Sequence, residues 1–206
     1  QSGANGGIYR NIDLYTFVDN HDVNRLPSTV VNPMHLPLIY TLLYAMPGIP
    51  SIYYGSEYGI HGCKENNSDD NLRPCLYLPD MERENISLYN HIVKLGRIYR
   101  AYPAIRTGAY ERMHITNQQL LFKKVQGDQT IYVALNLADY DYDLNFGTHL
   151  PALVDVISGK MIQVNNGNAY VKMSPFSSMI IVSDDIVNVE PENTPVQQTE
   201  EDKDTE

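Results

Sequence analysis

The residue types that could do chemistry gather in FVDNHDVNRL (17–26). A run of strand formers, residues 12–18, stops abruptly at Asp19-Asn20-His21-Asp22. Four hydrogen-bonding side chains in succession cannot continue a buried strand. A carboxylate beside an imidazole at a strand end suits the binding of vicinal hydroxyls. The carboxylate accepts two hydroxyl protons while the ring donates or accepts alongside. The same cluster can instead satisfy loop backbone groups and cap the next element, and spacing alone leaves both readings open. A metal centre is disfavoured, because His21 and Asp22 are adjacent and no HxH or HExxH spacing follows. His35, His61, His91, His114 and His149 are scattered and read as surface or packing residues. The glycines of GSEYG (55–59) lack the Gly-Lys-Ser/Thr ending of a phosphate loop, so no nucleotide site is expected.

The elements that must position this cluster follow from pattern. Residues 12–18 read as a buried strand. Asn32-Pro33 signals a helix start, the apolar run from Leu36 to Met46 predicts a helix packed on both sides, and Pro47-Gly48 stops it. Residues 49–55 read as a second short strand, followed by a polar loop over 56–84. Leu88, Ile92, Leu95, Tyr99 and Tyr102 recur at helical spacing up to Pro103. Strand–helix–strand–helix with short links predicts two consecutive βα units of a parallel sheet or barrel. Beyond about residue 103 the pattern becomes short β-type runs, at 119–125, 130–137, 141–146, 152–158, 169–173 and 177–183. Turn signals at Gly127, Gly159 and Asn166-Gly167 punctuate them, which predicts an antiparallel β-sandwich.

Composition limits the partners. The 206-residue chain is 43% hydrophobic and carries a formal net charge of −10. Nine of its acids lie from Asp184 onward against the single Lys203, so the remainder is nearly neutral. Nothing resembles a basic footprint for nucleic acid or an anionic membrane surface, and no apolar run is long enough for a transmembrane helix. Residues 185–206 read as a solvated, disordered tail. Cys63 and Cys75 bracket one loop and are compatible with a disulfide or with two free thiols, so they name no compartment.

FVDNHDVNRL resembles the strand-seven motif of the α-amylase family of glycoside hydrolases, F-x-x-N-H-D with an arginine three residues after the aspartate. GIPSIYYGSEYG (48–59) is similar to that family's strand-eight segment, and SDDNLRP (68–74) to the loop after it. Residues 88–110 resemble the last barrel helix running into the family's C-terminal β domain, and 155–182 that domain's closing strands. The resemblance is collinear over residues 8–183. It implies the last two βα units of a (β/α)8 barrel over 1–103, followed by a β-sandwich over 104–184.

It also implies roles. In that family a strand-four aspartate is the nucleophile, a strand-five glutamate the acid/base, and a strand-seven aspartate grips the hydroxyls of the reacting glucose. Asp22 matches the third of these, and His21 matches the histidine on the same sugar. Asn20 and Arg25 join the substrate-binding set, Arg25 in a supporting role. Arg73 could reach that sugar or could pair with Asp69 or Asp70. The nucleophile and acid/base have no counterpart here and should lie upstream, since such a barrel needs about 250 residues. The expectation is therefore the C-terminal portion of a retaining hydrolase of α-1,4-glucans or maltodextrins, inactive alone. Its partners would be that substrate and the missing N-terminal barrel portion. A glucanotransferase of the same family, or a non-catalytic carbohydrate-binding module, would share these residues. Asp19 and Asp22 leave the same strand end and are not expected to face each other across a sugar as a retaining pair must. No cofactor is expected in this segment. Asp69-Asp70-Asn71 lacks the spaced calcium pattern, and calcium in a complete enzyme would be expected at upstream ligands.

Overall fold

The computed structural model describes residues 12–66, 68–81 and 85–186. The first β-α-β passage is there but its strands are short. β1 (Tyr15–Thr16) pairs in parallel with β2 (Ile49–Pro50), Tyr15 opposite Ile49 and Thr16 opposite Pro50. The expected buried strand over 12–18 is thus corrected: Ile12, Tyr15 and Phe17 are exposed. Among the described residues β1 has only β2 as a hydrogen-bonded neighbour. The second strand is shorter than the expected 49–55. Pro50 offers no N–H to a ladder, and Gly55, at φ +82°, turns the chain into a 3-10 segment over Ser56–Tyr58.

Between the strands, α1 (Leu26–Thr29) is a single turn and α2 (Leu36–Ala45) is the expected helix. Asn32 opens the approach by accepting a hydrogen bond from the Met34 N–H at 3.0 Å, ahead of Pro33. Gly48 ends the passage at φ +129°, where a Cβ would stand 2.8 Å from the Leu14 carbonyl oxygen; only glycine lets the chain enter β2 so close to β1. After the loop come a short α3 (Leu78–Met81), then α4 (Ile86–Ala101) and a short α5 (Pro103–Thr107). Asn85 caps α4 through Leu88 N–H.

Eight antiparallel strands follow: β3 (Ala109–Ile115), β4 (Gln119–Gln126), β5 (Gln129–Asn136), β6 (Tyr142–Gly147), β7 (Leu153–Asp155), β8 (Met161–Asn165), β9 (Asn168–Met173) and β10 (Ser177–Ser183). They hydrogen-bond in the order β3-β4-β5-β10-β7-β8-β9-β6. Alternation along each strand serves two cores. Ile131, Val133 and Leu135 of β5, with Ile180 and Val182 of β10, join Leu38, Leu95 and Ile98 of the helices. Tyr132, Ala134 and Ile181 point the other way, onto Phe146, Val171 and Met173 of β6 and β9. The Tyr132 and Phe146 rings lie 4.8 Å apart, so strands distant in the hydrogen-bonded order face one another. Each fully buried aliphatic side chain here contributes roughly 1.5–3 kcal/mol. β3 and β8 were not among the expected runs, because the polar residues of AYERMHI and MIQVN lie on their exposed faces. Beyond β10 the chain makes a 3-10 turn over Asp184–Ile186, two residues into the expected tail; the rest of that tail lies outside the described residues.

Polar contacts help to fasten the helices to the sheet. Thr41 Oγ1 of α2 lies 2.9 Å from both His91 Nε2 of α4 and Ser178 Oγ of β10. Lys124 of β4 is fully buried and donates from Nζ to the Ile105 and Arg106 carbonyls at the end of α5. Burial lowers its pKa from the ordinary lysine value near 10.5 to about 8. Between those values the unfolded chain binds the proton and the folded chain does not, so this lysine adds stability as pH rises from about 8 and its penalty is complete below that. Denaturant unfolding should therefore show the stability of the wild type rising relative to Lys124→Met between pH 8 and 10. A difference independent of pH would contradict this.

Candidate functional site

The site is built where the chain leaves β1 and β2. Asp19, 2% exposed, turns inward. It accepts a hydrogen bond from Leu26 N–H at 2.9 Å, and Ser56 Oγ donates to its carboxylate, 2.9 Å from each oxygen. Arg25 is fully buried beside it. Its Nη1 donates to the Tyr54 carbonyl at 2.6 Å and to Ser56 Oγ at 3.1 Å, and its Nη2 to the Leu72 carbonyl at 2.7 Å. Its guanidinium also sits 4.1 Å from the centre of the Tyr53 ring. Arg25, Ser56 and Asp19 thus form a relay of opposite charges through one hydroxyl, tying the β1 end to the loop after β2. Gly62 closes the same joint: its carbonyl accepts from Arg25 N–H, and a Cβ there would stand 2.2 Å from the Asn71 carbonyl oxygen.

Above this buried joint the next residues face solvent. Asn20 Oδ1 accepts from Asp22 N–H at 2.8 Å, an Asx turn that lifts the following side chains outward. His21 Nε2 lies 3.3 Å from Asp22 Oδ2, with both side chains more than half exposed. Arg73 reaches over from the loop after β2, its Nη2 3.6 Å from Asp22 Oδ1 and 3.1 Å from Asp69 Oδ2. Lys64 Nζ donates to the Asp22 carbonyl at 3.2 Å and lies 3.8 Å from Asp69 Oδ1. The His21 and Tyr53 rings are 6.4 Å apart. An exposed carboxylate with a histidine and an arginine beside it can accept from paired hydroxyls.

Four of the five residues singled out by sequence, Asn20, His21, Asp22 and Arg73, meet at this surface. Arg25 does not: its guanidinium is enclosed, with Nη1 and Nη2 donating to two carbonyls and Ser56 Oγ, and Nε buried without a hydrogen-bond partner among the described residues, so its part is positioning. Arg73 pairs with Asp69, as the second of its two readings expected, and its Nη2 also stands near Asp22 Oδ1. Asp19 is committed to Leu26 and Ser56, which separates it in role from Asp22. Sequence reasoning missed Lys64 and Tyr53; Tyr53 follows a strand end and was visible as an aromatic there, whereas Lys64 carried no motif signal. Cys63 and Cys75 are free and exposed. Among the described residues no group of three or more His, Cys, Asp or Glu is arranged to hold a metal ion, and no helix is long and apolar enough to cross a membrane.

Residues 7–108 match the family described as "Alpha amylase, catalytic domain". These residues belong to the α-amylase family. The chain is 28% identical over 164 residues to a cyclomaltodextrin glucanotransferase of Bacillus licheniformis, covering 76% of this chain and 22% of that protein. It is 29% identical over 165 residues to an α-amylase of Niallia circulans, covering 76% of this chain and 30% of that one. The solved structure of an Anoxybacillus α-amylase superimposes with a TM-score of 0.73 at 26% identity, covering 83% of this chain and 38% of that one. The chain thus spans less than a third of the length of these two curated relatives.

The buried joint and the exposed cluster should respond differently to substitution. Arg25→Met leaves the Tyr54 and Leu72 carbonyls unpaired and the Asp19 charge poorly compensated, and should cost about 3–5 kcal/mol in urea unfolding. Arg73→Ala breaks exposed ion pairs and should cost no more than about 1 kcal/mol. Equal losses would show that the two layers are not distinct.

Proposed function

We propose that this chain is the C-terminal portion of a retaining glycoside hydrolase acting on α-1,4-glucans or maltodextrins, and that it supplies one wall of the site for the reacting glucose. Residues 1–103 are read as the last two βα units of a (β/α)8 barrel and 104–184 as its C-terminal β-sandwich domain. The observation that carries the reading is the pair Asp22 and His21. The family motif places both at a strand end, and the fold turns both outward while the neighbouring Asp19 and Arg25 turn in.

In this reading Asp22 accepts hydrogen bonds from two vicinal hydroxyls of the glucose, and His21 binds the same ring. Arg73 Nη2 stands 3.6 Å from Asp22 Oδ1 at the rim of this wall. As the ring flattens toward an oxocarbenium-like transition state its hydroxyls become better donors, so the Asp22 bonds strengthen there and lower the barrier. Asn20 holds the turn and Arg25 holds the loops beneath it. Covalent chemistry belongs to a nucleophile and an acid/base on barrel strands other than β1 and β2. The chain alone should be inactive, and the N-terminal barrel portion is its proposed partner. Where the acceptor is a sugar instead of water, the same wall would serve a glucanotransferase; water and sugar acceptors differ outside these residues.

In the polypeptide carrying the rest of the barrel, Asp22→Asn should lower kcat by roughly 10²–10³-fold with a modest change in KM. An unchanged kcat would sink the assignment. Micromolar binding of maltoheptaose to the isolated chain, measured by calorimetry, would favour a carbohydrate-binding module instead.

A further inference from the structure

The outer face of β8, β9 and β6 carries a second surface of interest, made wholly of residues of this chain. β5 and β10 send alternate side chains to the helices and to the core they share with β6 and β9. The outward positions of β6, β8 and β9 therefore lie on the far side of the sandwich from the helices. Asn145, Gln163 and Tyr170 occupy three of those positions and are exposed. The register sets them in one row: Tyr170 of β9 is directly opposite Gln163 of β8 on one side and Asn145 of β6 on the other. Opposed Cβ atoms in antiparallel strands stand about 5 Å apart, so both amides border the ring.

Sheet packing does not account for this row. A tyrosine on a strand surface gains most from aromatic or β-branched cross-strand partners, and here both partners are amides. Asparagine is disfavoured in strands. Asn165 and Asn168 flank the hairpin turn at Asn166-Gly167, which explains them, whereas Asn145 stands in the middle of β6 with no turn beside it. Among the described residues the Tyr170 hydroxyl and the Asn145 and Gln163 amides have no hydrogen-bond partner. Gly147, the next outward position of β6, leaves the surface beside Asn145 without a side chain. A Cβ there would meet only the Gly167 carbonyl oxygen, at 4.0 Å, so the chain's own packing does not demand glycine. The charges one step along the strands compensate each other, because Lys172 pairs with Asp141 at 3.0 Å and stands opposite Asp143.

We propose that the row Gln163, Tyr170 and Asn145 is a surface site for an α-1,4-glucan, separate from the Asp22 wall. The apolar face of one glucose ring lies on Tyr170, and the amides, each both donor and acceptor, take hydroxyls on its two edges. An uncharged row bordered by compensated charges complements a neutral polyhydroxyl ligand and not an ionic one. Three adjacent strands span about 10 Å, the width of one to two sugar residues. The other outward positions of these strands carry no aromatic side chain. A flat glucan needs successive platforms in line, whereas a coiled α-1,4 chain presents one residue at a time. The choice of α-glucan rests on the function proposed above; the row itself does not involve Asp22. One stacked ring on an open surface implies a Kd of roughly 1 mM, far weaker than the micromolar affinity of a dedicated binding module.

The test titrates the full 206-residue chain with maltoheptaose, followed by calorimetry and by backbone amide NMR shifts. The wild type should bind with that affinity, and the shifts should centre on β6, β8 and β9. Tyr170→Ala should weaken binding roughly tenfold or more. Gln163→Ala and Asn145→Ala should each weaken it about threefold to tenfold. Tyr170→Phe keeps the ring and should stay within about threefold of the wild type. Because these side chains face solvent, every variant should melt like the wild type by circular dichroism. Asp22→Asn should leave this binding unchanged. Absence of binding at about 10 mM sugar, or binding that survives Tyr170→Ala, overturns the proposal. So does equal binding of cellohexaose, which would show a surface indifferent to linkage. In the polypeptide carrying the rest of the barrel, a kcat that ignores Asp22→Asn would sink the catalytic reading and leave this site standing. A kcat lost with Asp22, beside a chain that binds no sugar through Tyr170, would do the reverse.

Discussion

A fully buried arginine is the constraint on which the rest of this site depends. Removing the Arg25 guanidinium from water costs several kcal/mol even after relaxation. The fold offsets that cost with the Tyr54 and Leu72 carbonyls, Ser56 Oγ and the face of Tyr53, and with Asp19 charged on the far side of Ser56. Those partners come from three separate stretches: the end of β1, the turn after β2 and the loop near Leu72. Since the charge is tolerable only with all of them in place, it selects one arrangement of loops that hydrophobic contact alone would leave loose.

The exposure of Asp22 follows from that arrangement. Asp19 and Arg25 face inward, and between them the chain makes an Asx turn at Asn20 that lifts His21 and Asp22 into solvent. Arg73 and Lys64 arrive because the loop that carries them is anchored at Gly62 and Leu72 by Arg25 itself. The helices reach the β strands through a second joint of the same kind, where Lys124 is buried against the carbonyls that end α5. The two joints carry different duties: one orients a polar surface, the other holds a layer of helices on a sheet.

The parts of the fold with strong periodicity were legible in the sequence. α2 and α4 appear close to where the apolar pattern placed them, and six of the β runs became strands, because two cores on opposite faces keep those strands rich in apolar residues. β3 and β8 were not legible, since polar residues at exposed positions break their short apolar runs. β1 was legible as a strand but not as an exposed one, because apolar pattern reports what a segment is built to bury and not which neighbour does so. At the site, the motif drew Asn20, His21, Asp22 and Arg25 together. It could not show that Arg25 points inward while Asp22 points out, because that division depends on Ser56 and Leu72, far away in sequence. Lys64 was invisible for the same reason.

The measurement that bears most directly on the account is a crystal structure of the polypeptide carrying the rest of the barrel with a maltooligosaccharide inhibitor bound. The account requires the Asp22 carboxylate to accept from two adjacent hydroxyls of a single glucose ring, with His21 on that same ring and Arg25 still enclosed beneath. A sugar bound elsewhere, with Asp22 remaining paired to Arg73, would contradict it.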